Sequence, residues 1–245
     1  MREPQLLATS GGMVPAPGGR PGWRFGGLLR YALSLSGAPR PKLCFVGTAT
    51  GDNDGLIRAC YGACAGEEVQ PSHLALFPMP NVEDVRAHLL AQDVVWVGGG
   101  SVVNLLAVWR AHGLDAILRE AWEAGVVLGG VSAGSICWHV GGTTDSFGPE
   151  LRPVHDGLGF VPYGNGVHYD SEPQRRPLLQ QLVAARALPT SHATDDGAGL
   201  HYVGTELAEA VADRPGALAW RVESDERGGA REVELPTRLL AEAAG

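Results

Sequence analysis

Short apolar runs alternate with stretches of helical spacing through the first 140 residues. Gln5 to Thr9, Lys42 to Thr48, His73 to Pro78, Asp93 to Val97 and Gly125 to Val131 are rich in Val, Leu or Phe and mostly stop at Gly, Pro or Thr. They are predicted as β-strands, and their continuous apolar character implies burial on both faces. Between them, Phe25 to Ser36, Gly55 to Ala65, Val82 to Ala91, Val102 to Ala111 and Leu114 to Ala124 read as helices. In the last, Leu114, Ile117, Leu118, Ala121 and Trp122 recur at helical spacing, as one buried face requires. This alternation predicts an α/β class, a doubly wound and mostly parallel sheet with crossover helices.

The pattern changes after Ala187. Gly199 to Val203, Leu207 to Ala212, Ala217 to Val222 and Arg231 to Leu235 read as short strands, with a hairpin turn over Glu226 to Gly229. No linker precedes them, so they are expected to form a β-rich C-terminal layer on the same domain, and residues 1–245 to form one domain. The Pro- and Gly-containing segment Met13 to Arg24 reads as a long surface loop, either an idle connection or a cover over the active site.

The composition narrows the class of partner. With 44% hydrophobic and 19% charged residues the chain can build an ordered core, and its net charge of −8 lacks the clustered Lys and Arg that a phosphate backbone demands. No nucleic acid is expected. No export signal or membrane span is visible in the pattern. Cys44, Cys60, Cys64 and Cys137 form no CxxC pair and no disulfide framework, which fits a reducing, cytoplasmic setting. The i, i+4 pair Cys60 and Cys64 reads as buried thiols in preference to a metal or redox site.

The most informative stretch is Val126-Val-Leu-Gly-Gly-Val-Ser-Ala-Gly-Ser135, a buried strand running into Gly130-x-Ser132-x-Gly134 and then into Ile136-Cys-Trp-His-Val140, read as helical. A serine on such a strand–turn–helix junction projects its hydroxyl above the sheet edge, beside helix N–H groups that can face an oxyanion. Gly98-Gly-Gly100 follows another strand at its carboxyl end, where open sheets place ligands. It lacks the GxGxxG spacing and a P-loop Lys, so it reads as a backbone wall instead of a nucleotide loop. The N–H groups of Gly99, Gly100 and Ala133 are the candidate oxyanion donors. His155, His192 and His201 show no HExxH or other metal spacing, and His73, His88, His112 and His139 fall in or beside core elements and read as structural.

Together, Gly98-Gly-Gly-Ser-Val-Val-Asn-Leu-Leu106, Gly130-Val-Ser-Ala-Gly-Ser135 and Gly166-Val-His168-Tyr, with Gly47-Thr-Ala-Thr-Gly-Asp52 and Thr143-Thr-Asp145, resemble the dipeptidase E (aspartyl dipeptidase) and cyanophycinase family of serine peptidases, in order and through nearly the whole chain. That resemblance implies a class I glutamine amidotransferase-like, flavodoxin-like sheet with Ser in place of Cys at the turn, and action on short peptides without a cofactor. It implies Ser132 as nucleophile and His168 as base. Thr194-Asp-Asp-Gly-Ala-Gly-Leu200 matches the segment that carries the family's acid, which puts Asp196 there in place of Glu, and Asp145 is the alternative. Ser101 stands where the family often has Asn. Family specificity for an amino-terminal Asp rests on an Arg after the His, and here only Arg175 and Arg176 follow, on a short acidic path, as candidate substrate-binding residues.

Two other functions share some of these features. An α/β-hydrolase esterase also uses GxSxG, but runs Ser, acid, His along the chain and carries an HGGG motif; here the order is Ser132, His168, Asp196. A non-catalytic binding domain on the same fold leaves the retained Ser, His and acid unexplained. The expected partners are therefore short peptides, with neither nucleic acid nor membrane, and a homodimer stays open.

Overall fold

In the computed structural model, which describes residues 3–19, 22–225 and 227–241, the strand–helix alternation builds the expected sheet. The chain begins with β1 (Gln5–Thr9), a hairpin of β2 (Met13–Pro15) and β3 (Trp23–Phe25), and α1 (Gly27–Leu35). It continues through β4 (Lys42–Val46), α2 (Asp54–Ala63), β5 (Gln70–Leu74), α3 (Val85–Leu90) and β6 (Val94–Val97). There follow α4 (Val102–His112), α5 (Leu114–Glu123), β7 (Val127–Val131) and the four-residue α6 (Ala133–Ile136). Parallel pairing orders the strands β1-β7-β6-β4-β5.

Alternate residues of these strands serve opposite faces. Leu43, Phe45, Val94, Trp96 and Val127 pack with Leu28, Leu29 and Leu33 of α1 on one side. Cys44, Val46, Val95, Val97 and Leu128 pack with Leu105, Trp109, Leu118 and Trp122 of α4 and α5 on the other. Burial on both faces is why these strands read as unbroken apolar runs. The helices start where a side chain can accept an orphan N–H: Asn53 caps α2, Asp84 caps α3, and Ser101 caps α4 by accepting from Asn104 N–H. This cap gives Ser101 a structural role directly after the glycine triplet.

The second half adds β8 (Gly141–Thr144), β9 (Arg152–Val154), β10 (Gly164–Gly166), α7 (Arg175–Ala184), β11 (Ser191–Thr194) and β12 (Ala198–Val203). The last strands are β13 (Glu206–Ala212), β14 (Ala219–Ser224), β15 (Ala230–Leu235) and β16 (Thr237–Leu239). The β-rich C-terminal part divides between two sheets. β12, β13 and β16 extend the main sheet beyond β1, where β12 runs antiparallel, while β11, β14 and β15 join β8, β9 and β10 in a second six-stranded sheet. α7 packs on the second sheet through Leu179, Leu182 and Val183.

Three expectations need correction. The strand expected over His73 to Pro78 lies earlier: pairing with β4 ends at Val46↔Leu74, and the next N–H groups go to side chains, Ala75 to Asn81 and Leu76 and Phe77 to Asp52. The segment Met13 to Arg24 holds the β2–β3 hairpin, paired Met13↔Phe25. The helix expected over Ile136 to Val140 occupies Ala133–Ile136 instead. The β14–β15 turn is where expected, with Asp225 Oδ1 accepting from Arg227 and Gly229 N–H; Glu226 lies outside the described residues. No helix among the described residues is long and apolar enough to cross a membrane.

Candidate active site

The site lies at the carboxyl ends of the parallel strands. β7 delivers Ser132 at φ 58° and ψ −112°, a positive φ that a side-chain-bearing residue adopts only under constraint. The constraint is visible. Ser132 N–H donates to Thr9 O at the end of β1 (3.0 Å), and Ser132 O accepts from Ser135 and Ile136 N–H (2.8 and 2.9 Å) to open α6. The two glycines of the motif are demanded by close approach: a Cβ on Gly130 would lie 2.5 Å from Gly134 O, and one on Gly134 would run into Val97 O of β6. The Ser132 hydroxyl caps no N–H of the helix it opens and stays half-buried.

The glycine triplet forms the facing wall. A Cβ on Gly99 would sit 3.2 Å from that of Ser132, so its backbone abuts the serine. Gly98 and Ser101 N–H are bonded to Val46 O and Ala49 O, whereas those of Gly99 and Gly100 between them have no backbone acceptor among the described residues. Ala133 N–H opens α6 on the other side, in the first turn where N–H groups lack intrahelical partners.

His168 follows β10 and also has a positive φ, 52°. Its N–H donates to Ser10 Oγ (3.0 Å), and Ser10 Oγ bonds Thr194 Oγ1 (2.7 Å) at the end of β11. One hydroxyl thus joins the loop after β1, the histidine segment and the acid loop. His168 Nδ1 lies 2.6 Å from Asp196 Oδ1. With Nδ1–H donating to a carboxylate, the imidazole keeps Nε2 as its basic nitrogen. Asp196 N–H donates in turn to Asp170 Oδ1, and Asp170 Oδ2 accepts from Arg214 (2.8 and 2.7 Å). Burial pushes the Asp170 carboxyl up, but these bonds outweigh it and hold it below the usual carboxylate range. The neighbouring Asp195 is turned away, accepting from Trp220 Nε1 and Leu218 N–H, and burial raises its carboxyl.

The other candidates stand elsewhere. Asp145 is 61% exposed, and its ion pair is a 3.9 Å contact with Arg175. Arg175 is 2% exposed and donates to Thr143 O (2.5 Å) and Glu172 (2.7 Å). Arg176 lies over the rings of Tyr169 and Trp220 and pairs with Glu232. Both arginines are thus engaged within the second sheet and α7. Asp52, from the Gly47 to Asp52 segment, fastens the loop after β5. Ser10 and Asp170 escaped sequence reading, although Thr9-Ser-Gly-Gly12 after a parallel strand was a usable signal.

A cavity of about 400 Å³ opens beside Gly99 and His168 and runs under the β2–β3 hairpin, with Met13, Trp23, Leu56 and Ile57 among its walls. Among the described residues, no group of three His, Cys, Asp or Glu side chains could hold a metal ion. What this arrangement can perform is acyl transfer: a constrained hydroxyl, an imidazole oriented by a carboxylate, and free backbone donors.

Comparison with known proteins points to a peptidase. The model of Peptidase family S51 matches residues 22–210. The chain is 43% identical to "Uncharacterized peptidase YgaJ" of Bacillus subtilis, over 86% of this chain and 90% of that one, and 29% identical to "Peptidase E" of Streptomyces coelicolor, over 60% of each. Among solved structures, a peptidase from an acI-B1 Actinobacterium superposes with a TM-score of 0.66 at 15% identity, covering 94% of both chains. A Peptidase E protein from Listeria monocytogenes gives 0.59 at 18% identity, covering 84% of this chain and 96% of that one. These two likenesses bear on the fold.

Proposed function

Because the chain belongs to Peptidase family S51 and is a serine-type peptidase, we propose that it hydrolyses short peptides through a Ser132-His168-Asp196 triad. The single observation that carries the reading is the 2.6 Å bond from His168 Nδ1 to Asp196 Oδ1, taken with a serine held at positive φ on the strand–helix turn.

The chemistry follows from these groups. His168 Nε2 takes the Ser132 Oγ proton as Oγ attacks the scissile carbonyl carbon, and Asp196 steadies the imidazolium that forms. The negative charge developing on the carbonyl oxygen is met by Gly99, Gly100 and Ala133 N–H, which need no reorganisation to receive it. His168 then gives its proton to the leaving amine as the C–N bond breaks, leaving an acyl-enzyme on Ser132. Water, deprotonated by the same nitrogen, releases the acyl group and restores the hydroxyl. Ser132 Oγ and His168 Nε2 share no hydrogen bond in the free protein, and in this reading bound substrate brings them together, as in many unliganded sites. The size of the adjoining cavity, about 400 Å³, suits one or two residues of a peptide.

The test is labelling by a fluorophosphonate together with turnover of a dipeptide and tripeptide panel. Ser132→Ala and His168→Ala should each lower kcat by about 10⁴-fold or more, and the label should map to Ser132. Full turnover in Ser132→Ala, with the label elsewhere, would refute the reading.

A further inference from the structure

Which peptides enter is decided by what the cavity beside the nucleophile can bind. Its walls come from three separate elements: Met13 and Trp23 from the hairpin, Leu56 and Ile57 from α2, and Phe45 and Trp96 from the sheet. Among the described residues, no Asp, Glu, Lys or Arg lines it. Of its titratable side chains besides His168, His73 is occupied by Tyr61 and Asn81, and burial pushes the Cys60 thiol to about 12, so it stays uncharged. A substrate carboxylate placed there would lose its water and meet no Lys or Arg among the described residues. Trp23 and Leu56 remain 46% and 43% exposed at the mouth, apolar surface that an apolar guest would cover. The close approach of Gly12 to the Trp96 ring, where a Cβ would lie 2.8 Å from Cζ2, brings the backbone wall against the floor.

The cavity's position assigns it to one side of the scissile bond. It spreads from Val131 and from Gly99, whose backbone abuts Ser132, over the ends of β6 and β4, through Gly98, Val46 and Gly47. A wider cleft lies on the Asp196 side, where Arg24, Asp213 and Arg214 supply charged walls. Gly99, whose N–H is a proposed oxyanion donor, lines this cavity and not the charged cleft, so the residue that supplies the carbonyl is taken to lie on the cavity's side and the leaving residue with its carboxylate toward the charged cleft.

We propose, resting on the reading of Ser132 as nucleophile, that this cavity is the specificity pocket for the residue supplying the scissile carbonyl. It selects a bulky apolar side chain there, the size of Leu, Met or Phe, and disfavours Asp. Each methylene in such a pocket is worth about tenfold or more in kcat/KM.

The experiment compares kcat/KM for X-Ala and Ala-X dipeptides, with X as Leu, Met, Phe, Ala or Asp, in the wild type and in Ile57→Asp. Leu-Ala, Met-Ala and Phe-Ala should exceed Ala-Ala and Asp-Ala by about tenfold or more, and the Leu-Ala to Ala-Ala ratio should collapse in Ile57→Asp. Leu56→Asp, at a more exposed position, repeats the test should Ile57→Asp not fold. Calorimetric binding of Leu-Ala and Asp-Ala to Ser132→Ala reads the pocket without turnover. A preference for Asp-Ala, equal affinities in Ser132→Ala, an apolar preference confined to Ala-X, or a ratio untouched by both pocket variants would overturn the proposal. Full turnover in Ser132→Ala with Leu preference intact would instead sink the nucleophile and leave the pocket standing.

Discussion

Replacing Asp196 by Asn removes the charge that faces His168 Nδ1 at 2.6 Å and leaves the shape of the side chain nearly unchanged. Two losses follow. At a charge separation of about 4 Å and an effective dielectric near 20, a carboxylate stabilises an imidazolium by about 4 kcal/mol. The side chains here are 23% and 35% exposed, so solvent screening lowers this to about 3 kcal/mol, or roughly 10²-fold in rate. The second loss concerns the tautomer. An Asn that turns its NH₂ toward Nδ1 places the imidazole proton on Nε2, where no base is left, and in comparable triads the whole effect reaches about 10⁴-fold in kcat. Asp196→Asn should therefore lower kcat by about 10²- to 10⁴-fold, with the secondary structure unchanged by circular dichroism. Asp145→Asn, at a site 61% exposed and 3.9 Å from Arg175, should change kcat by less than about threefold. The assay is steady-state turnover of one dipeptide by both variants and the wild type. A larger loss in Asp145→Asn than in Asp196→Asn, with both folded, would reverse the assignment of the acid.

How far the sequence could be read depended on whether a residue's partner lay nearby in the chain. β4, β6 and β7 were legible because burial on two faces forces unbroken apolar runs. The serine was legible because its motif is local: glycine, turn and helix all fall within five residues. β8 and β10 went unread, since Gly141-Gly-Thr-Thr and Gly164-Asn-Gly are poor in strand-forming residues and pair only because tertiary neighbours hold them. The apolar run after Leu74 looked like strand but continues beyond the pairing edge, and Asp52, 24 residues upstream of Leu76, receives its N–H groups. Ser10 shows the same limit more sharply. Its contact with His168 spans 158 positions, and no periodicity connects them. Arg175 and Arg176 looked like free cations because their partners, Thr143 O and the rings of Tyr169 and Trp220, come from other strands or the far side of a turn.

Arg175→Met should cost stability and leave specificity alone, lowering the free energy of urea unfolding by about 3 kcal/mol with the Asp-Ala to Leu-Ala ratio unmoved; a changed ratio at unchanged stability would make Arg175 a substrate contact. Ser10→Ala frees His168 N–H and should lower kcat about tenfold at similar KM, with Ser10→Thr restoring most of it; equal losses in both variants would argue against the hydroxyl as the positioning group. Acid should destabilise the fold through a buried chain behind the nucleophile helix. His139 Nδ1 faces Ser135 O (2.9 Å) and so carries the proton, leaving Nε2 to accept from the Tyr202 hydroxyl (3.2 Å), whose oxygen in turn accepts from His192 Nδ1 (2.8 Å). Every hydrogen in that chain is placed, and a further proton on His139 has no acceptor. Burial first, only partly offset at His139 by the bond to Ser135 O and reinforced at His192 by the Arg221 charge, lowers His139 to about 3 and His192 to about 4. Both values lie below the unfolded value of about 6.5, so the unfolded chain binds more protons in acid. Their stability is fully present above about pH 6.5 and is lost as pH falls toward 4 and then 3. At about 1.4 kcal/mol per pH unit and histidine, unfolding at pH 5 should be roughly 4 kcal/mol easier than at pH 7. Glu209, held near 2 chiefly by the Arg238 guanidinium, acts only below the ordinary carboxylate range near pH 4.3 and so leaves this window to the histidines. Urea midpoints between pH 7.5 and 5 in the wild type and in His192→Gln measure it, the variant losing about one proton's worth of slope. A wild-type midpoint that stays flat across that range would show that the chain accepts the extra proton after all.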